Sequence, residues 1–112
     1  MNWNPLTDIE QLDNILTDSY HKPQLIFKHS TRCFISASVL RRLEADWGNS
    51  PLLVAPHFLD LLKYRSISDV IAKRFGVVHE SPQIILFING VVSFHTSHDD
   101  ISVDVISDSL AH

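Results

Sequence analysis

Cys33 is the only cysteine in the chain, and a thiol is the side chain here best suited to making and breaking covalent bonds. It sits in Lys28-His29-Ser30-Thr31-Arg32-Cys33-Phe34-Ile35-Ser36, just after the apolar run Leu25-Ile26-Phe27. A short β-prone run, then polar turn residues (His29, Ser30, Thr31), then a helical period reads as a strand-turn-helix junction. Such a junction places Cys33 at or near a helix N-terminus, where unpaired N–H groups and the macrodipole favour an anion over a neutral thiol. A free cysteine titrates near pH 8.5 and is mostly protonated at neutral pH, so a reactive one needs help. The helix end, Arg32 and His29 are the groups expected to supply it, and Ser36, one turn on, is positioned to donate a hydrogen bond to the sulfur. Cys33 is therefore expected to be a redox nucleophile.

A lone cysteine cannot staple its own fold, which leaves a buried small hydrophobe, a metal ligand or a reactive thiol. His29, Cys33, His79, His95 and His98 can be written as a ligand set, but no pair has zinc-finger spacing, and His95 and His98 fall at a strand end rather than on one helical face. No metal is expected. A second feature is Ser81-Pro82, immediately ahead of an apolar run; an X-Pro bond entering a sheet strand is either a trans edge feature or a cis turn.

At 112 residues the chain fits one domain, 1–112, long enough to bury a core without disulfides or structural metal. The net charge of −4 and the scattered basic residues argue against phosphate-backbone binding, so no nucleic acid partner is expected. No apolar run approaches the roughly 20 residues that span a bilayer, so no membrane is expected. The opening residues lack the positive and apolar regions of a secretory signal, and the expected home is the reducing cytoplasm.

The elements that must carry these residues follow from periodicity. Thr7 and Glu10 read as a capping box ahead of Ile9, Leu12, Ile15 and Leu16, an amphipathic helix across residues 5–19. A strand over 24–28 follows. A second helix from about residue 34 carries Ile35, Val39, Leu40, Leu43 and Trp47 and closes at Gly48. Residues 49–57, with two prolines, fit either a turn of helix or the approach to a strand, and residues 58–62 read as a buried strand. Ser66 to Asp69 offer a cap for a third helix that ends at Gly76. Residues 84–88 and 91–95, joined by Asn89-Gly90, read as an antiparallel hairpin. Asp99 and Asp100 precede a short closing helix. Arg41 and Arg42 read as a solvated helix face, Trp47 and Phe75 as core. Two strands joined by a helix lie parallel with a right-handed crossover, and the hairpin extends the same sheet antiparallel.

This order, with a cysteine at the first strand-to-helix turn and a proline before the hairpin, fits a thioredoxin-like α/β fold: three layers, α/β/α, with a central mixed sheet of about four strands. In that plan the proline loop lies against the cysteine and offers Ser81 backbone groups to an extended substrate; this is fold analogy. The segment from Lys28 to Ser36 resembles the active-site segment of the monothiol bacilliredoxins, the YtxJ-like family of the bacillithiol system, usually T-x-C-P-I-S. Residues 76–83, Gly-Val-Val-His-Glu-Ser-Pro-Gln, are similar to that family's G-V-x-H-E-S-P-Q segment, the most specific part of the likeness. Ser97-His98-Asp99-Asp100-Ile101 is similar to its S-H-x-D-I element. The likeness spans residue 25 to the C-terminus. One departure is Phe34, where the family usually has proline.

The resemblance implies thiol-disulfide exchange, with Cys33 and Ser36 as catalytic residues and Arg32, Phe34, Ser81, Pro82 and His29 lining the substrate site. With Ser36 where a dithiol relative holds its resolving cysteine, Cys33 would form a mixed disulfide with bacillithiol taken from an S-bacillithiolated cytosolic protein. No cofactor is implied beyond bacillithiol as co-substrate, and bacillithiol or a partner reductase would regenerate the thiol. Arg32 or Lys28 are candidates to meet bacillithiol's malate carboxylates. The alternatives are a non-catalytic thioredoxin-like peptide-binding module, which Phe34 in proline's place keeps open, and a monothiol reductase for another low-molecular-weight thiol.

Overall fold

The strand β2, Gln24–His29, is buried at every position and lies at the centre of the sheet. In a computed structural model that describes residues 1–111, it is flanked by β3, Ala55–Asp60, in parallel and by β4, Gln83–Ile88, antiparallel. β5, Val91–Ser97, closes one edge against β4. At the other edge β1, Asn4–Pro5, pairs with β3, giving the order β1-β3-β2-β4-β5. Five strands thus replace the expected four or so. A two-residue strand containing a proline shows no alternation from which to read it; Leu6 N–H donating to Phe58 O at 2.8 Å and the complete burial of Leu6 hold it in place.

β2 has side chains of both parities buried because helices cover both faces of the sheet. Leu25 and Phe27 join the core under α2, Phe34–Asn49, and α4, Val103–Leu110, with Val39, Leu43, Trp47 and Ile106. Ile26 points the other way, into the core under α1, Glu10–Asp18, and α3, Arg65–Phe75, with Leu12, Ile15, Ile67 and Ile71. This is a thioredoxin-like three-layer α/β/α sandwich.

Several boundaries differ from the sequence reading. β3 runs over residues 55–60 rather than 58–62, and Pro56 sits inside it at no cost in ladder bonds. Ala55 N–H donates toward β2, to Pro23 O, so the next nitrogen faces the other way, where β1 begins only at the Asn4↔His57 pair. At α1 the cap is built by Gln11 and Asp8, not by Thr7 and Glu10. Gln11 Oε1 accepts from Thr7 and Asp8 N–H at 2.8 and 2.9 Å, and Asp8 Oδ1 accepts from Glu10 N–H. α2 passes through Gly48 and closes at Ser50, whose N–H donates to Asp46 O. α3 starts at Arg65, so Ser68 is not a cap but a fully buried residue of its inner face. Arg42 is not merely solvated: it donates to Ile101 O at 2.6 Å, tying α2 to the segment ahead of α4. Phe75 is half-buried, edge-on to Phe87. Asp99 and Asp100 lie in a single turn of 3₁₀ helix, His98–Asp100, and the α4 cap is Ser102, accepting from Val105 N–H.

The hairpin turn follows expectation. Asn89 and Gly90 both have positive φ, +54° and +79°, as a type I′ turn requires. At Gly90 a Cβ would also meet the Tyr20 ring.

Candidate active site at the β2–α2 turn

Cys33 is the first residue before α2, with extended backbone (φ −99°, ψ 118°), and its carbonyl accepts the first helical bond, from Ala37 N–H. Its own N–H donates to Ser30 O at 3.1 Å, closing the turn 30–33. The thiol is free and half-exposed. Arg32 is exposed beside it, and Phe34, which opens the helix, is 82% exposed.

Ser36 is fully buried and does not serve the sulfur. Its hydroxyl accepts from Ser30 N–H at 3.2 Å and lies 2.7 Å from His29 Nδ1; it makes no hydrogen bond to Cys33 among the described residues. The expected donor to the thiol is instead the pin that fastens the start of α2 to the end of β2. His29, expected to meet substrate, is 5% exposed, stacked on Phe27 and tilted against Phe58. Burial holds its pKa below the usual 6.5, against the opposing pull of Asp60 and Glu44, so at neutral pH it lends no positive charge to the turn.

The Ser81–Pro82 peptide bond is cis. The register Lys28↔Gln83 brings Pro82 to the end of β2 from which the cysteine turn departs, so both loops share one rim of the sheet. The loop 76–82 is fastened at several points. Gly76, left-handed at φ +66°, ends α3; Val77 is buried; Gln83 Nε2 donates to Val78 O at 3.0 Å; Ser97 Oγ bonds Glu80; His98 N–H donates to Pro82 O at 2.9 Å.

Lys28 lies at the same end of β2 but on the opposite face, with no exposed surface. Burial pushes its pKa down from 10.5 to about 8, Asp69 opposing and Arg65 adding to the shift. A side chain sealed in this way does not reach a bound thiol, which leaves Arg32 as the cation beside Cys33. The histidines of the notional ligand set diverge, His29 toward α2 and His79 toward α3. Among the described residues no three His, Cys, Asp or Glu side chains converge as a metal requires. Lys28 is expected at the malate carboxylates, Ser68 in a helix cap and Gln83 only as the last residue of the 76–83 segment; none is expected buried behind the rim, where all three lie, although a lysine within an otherwise apolar strand is itself a signal.

A sequence profile described as "Monothiol bacilliredoxin BrxC" matches residues 4–106. The chain belongs to the monothiol bacilliredoxin family. Its fold is similar to a solved structure described provisionally as an oxidoreductase with a thioredoxin fold, at 29% identity and TM-score 0.81, covering 95% of this chain and 91% of the other. It is also similar to the thioredoxins of Trypanosoma brucei brucei (17% identity, TM-score 0.74, covering 98% and 88%) and Fasciola hepatica (13%, 0.72, 97% and 98%), which speaks for the fold. Family and fold together make this bacilliredoxin a thiol redox protein of the oxidoreductase class. No helix of the described residues is long and apolar enough to cross a membrane.

Proposed function

We propose that the protein is a monothiol thiol-disulfide oxidoreductase that removes bacillithiol from S-bacillithiolated cytosolic proteins. The observation that carries this reading is a half-exposed, unpaired Cys33 at the start of α2, sharing the sheet rim with Ser81–Pro82, with a buried serine at the position of a resolving thiol.

The thiolate of Cys33 attacks the bacillithiol sulfur of the client's mixed disulfide. A Cys33–bacillithiol disulfide forms, the client–bacillithiol disulfide breaks, and the client leaves as a thiolate that takes up a proton. Because the chain holds no second thiol, the adduct persists until an external thiol attacks its bacillithiol sulfur. A second bacillithiol then leaves as bacillithiol disulfide and Cys33 returns as thiolate; a partner reductase does the same with its own thiol. Arg32 is the exposed cation available to the malate carboxylates. The Ser81–Pro82 rim offers backbone groups to the client, and the ring of Phe34 an apolar surface beside the sulfur.

The test is incubation with a bacillithiolated client peptide followed by intact-mass analysis. A mass gain of one bacillithiol on Cys33, matched by release of the peptide thiol and absent in Cys33→Ser, is the expected result; no adduct on the wild-type protein overturns the reading. Parallel incubation with glutathione and coenzyme A mixed disulfides identifies a reductase for another small thiol. The exposed Phe34 ring at a helix start favours a second reading, a peptide-binding module without catalysis. In that case Cys33→Ser captures a peptide as well as the wild type does, and neither releases a thiol.

A further inference from the structure

Behind the rim, Lys28, Ser68 and the half-buried His79 form a cluster that takes no part in the exchange steps above. Lys28 Nζ lies 3.4 Å from His79 Nδ1, and Ser68 Oγ lies 3.2 Å from the same nitrogen. With its pKa at about 8, Lys28 keeps its proton at pH 7, and an ammonium group has donors only. Nδ1 must then accept, and the ring's one proton resides on Nε2. Burial, followed by the charges of Lys28 and Arg65, keeps His79 below its usual pKa against Asp69 and Glu80, so the ring is neutral. His79 is half-buried, and its Nε2 makes no hydrogen bond among the described residues. Three residues before Pro82, the loop therefore holds a half-buried imidazole whose Nε2–H has no partner among the described residues.

We propose that Lys28 and Ser68 are positioning residues that lock His79 in the Nε2–H tautomer, and that this N–H is a docking donor for an acceptor oxygen of the incoming mixed disulfide. That oxygen is either a carboxylate of the small-thiol half or a main-chain carbonyl of the protein half. The role rests on the exchange reading above; the tautomer does not. Gln83 supports it from β4: paired with Lys28 and on the same sheet face, it holds Val78 O and so the backbone just ahead of His79.

Two measurements on the full chain test the proposal. Nitrogen-15 NMR of the labelled imidazole at pH 7 should show Nε2 protonated and Nδ1 bare in the wild type, and a mixture of tautomers in Lys28→Met, whose apolar side chain of similar length fills the same space. A proton on Nδ1 in the wild type, or a ring unchanged in Lys28→Met, overturns the lock. In exchange assays His79→Phe should raise KM roughly threefold to tenfold with kcat held, the loss of one hydrogen bond, and His79→Gln, which retains an N–H at that reach, should restore most of it. A rise for a bacillithiolated peptide but not for the same peptide capped with cysteamine, which has no carboxylate, assigns the small-thiol half; an equal rise for both assigns the main chain. An unchanged KM in His79→Phe overturns the docking role. Absence of a wild-type Cys33 adduct removes the exchange reading and the docking role with it, while the NMR spectrum still decides the tautomer.

Discussion

At Ser36 one hydroxyl serves two partners, the Ser30 amide of the turn and the His29 ring of β2. Ser36→Ala leaves the Ser30 N–H and the buried imidazole nitrogen to find other partners or none. The expected cost is about 1–3 kcal/mol, read as a lower urea midpoint. Because the turn it pins is the one that presents Cys33, the exchange rate should fall as well, while the site of modification stays Cys33. A hydrogen bond to the sulfur would give a different signature: a shift in the pH dependence of alkylation by iodoacetamide with the urea midpoint held. Ser36→Cys would place a second thiol at a fully buried position rather than on the rim.

Among the elements, α2 is the one whose start matters. Phe34 occupies its first position, where an N–H has no intrahelical acceptor and proline is favoured. Cys33 already has the extended backbone (φ −99°, ψ 118°) that a residue before proline adopts. Phe34→Pro, which restores the family's usual residue, should therefore fit without rearrangement. It is expected to stabilise the fold by about 0.4–1 kcal/mol through the unfolded chain's lost freedom, measured by urea denaturation. Removing the ring of this exposed residue, next in sequence to Cys33, should at the same time weaken capture of apolar client peptides. A midpoint that drops in Phe34→Pro would mean that the Phe34 N–H or ring is held by a contact the helix start needs.

Across the whole molecule, burial depresses the pKa of three histidines in different places: His29 under α2, His79 behind the rim, and His57, which pairs with Gln24 on the face under α1 and α3. Each has an ordinary value of 6.5, and each folded value lies lower. As the pH falls below 6.5 the unfolded chain takes up protons first, so the contribution of these neutral rings is fully present above that pH and is lost as pH falls through the folded values. The urea midpoint should be lower at pH 5 than at pH 7. Lys28 acts in the same direction on the alkaline side, since its folded pKa of about 8 lies below the ordinary 10.5. Its contribution is present above 10.5 and is lost as pH falls through 8, and Lys28→Met should raise the midpoint at pH 7 while shrinking this alkaline trend. A midpoint independent of pH from 5 to 7 would count against the burial of these rings.

Much of the plan was legible in order and spacing alone. The apolar run into Cys33, the Asn89-Gly90 turn and the helical periods of α1, α2 and α3 are local patterns, and local patterns report on the contacts that neighbours in sequence make. The same holds for Gly76 as a helix stop. What the sequence left open was every feature that depends on residues far apart. β1 exists only because Phe58 offers it a carbonyl, and Pro56 is tolerated only because its nitrogen faces a stretch of edge without a partner strand. Ser36 turns to His29 rather than to the sulfur because the end of β2 and the first turn of α2 enclose it on the buried side. Lys28 and His79 are 51 residues apart, and only the pairing of β2 with β4 under α3 brings an ammonium group against an imidazole. Composition and periodicity determine which residues belong inside and which chemistry is at hand; which buried polar groups meet is decided by tertiary packing, because a hydrogen bond depends on distance in space and not on separation along the chain.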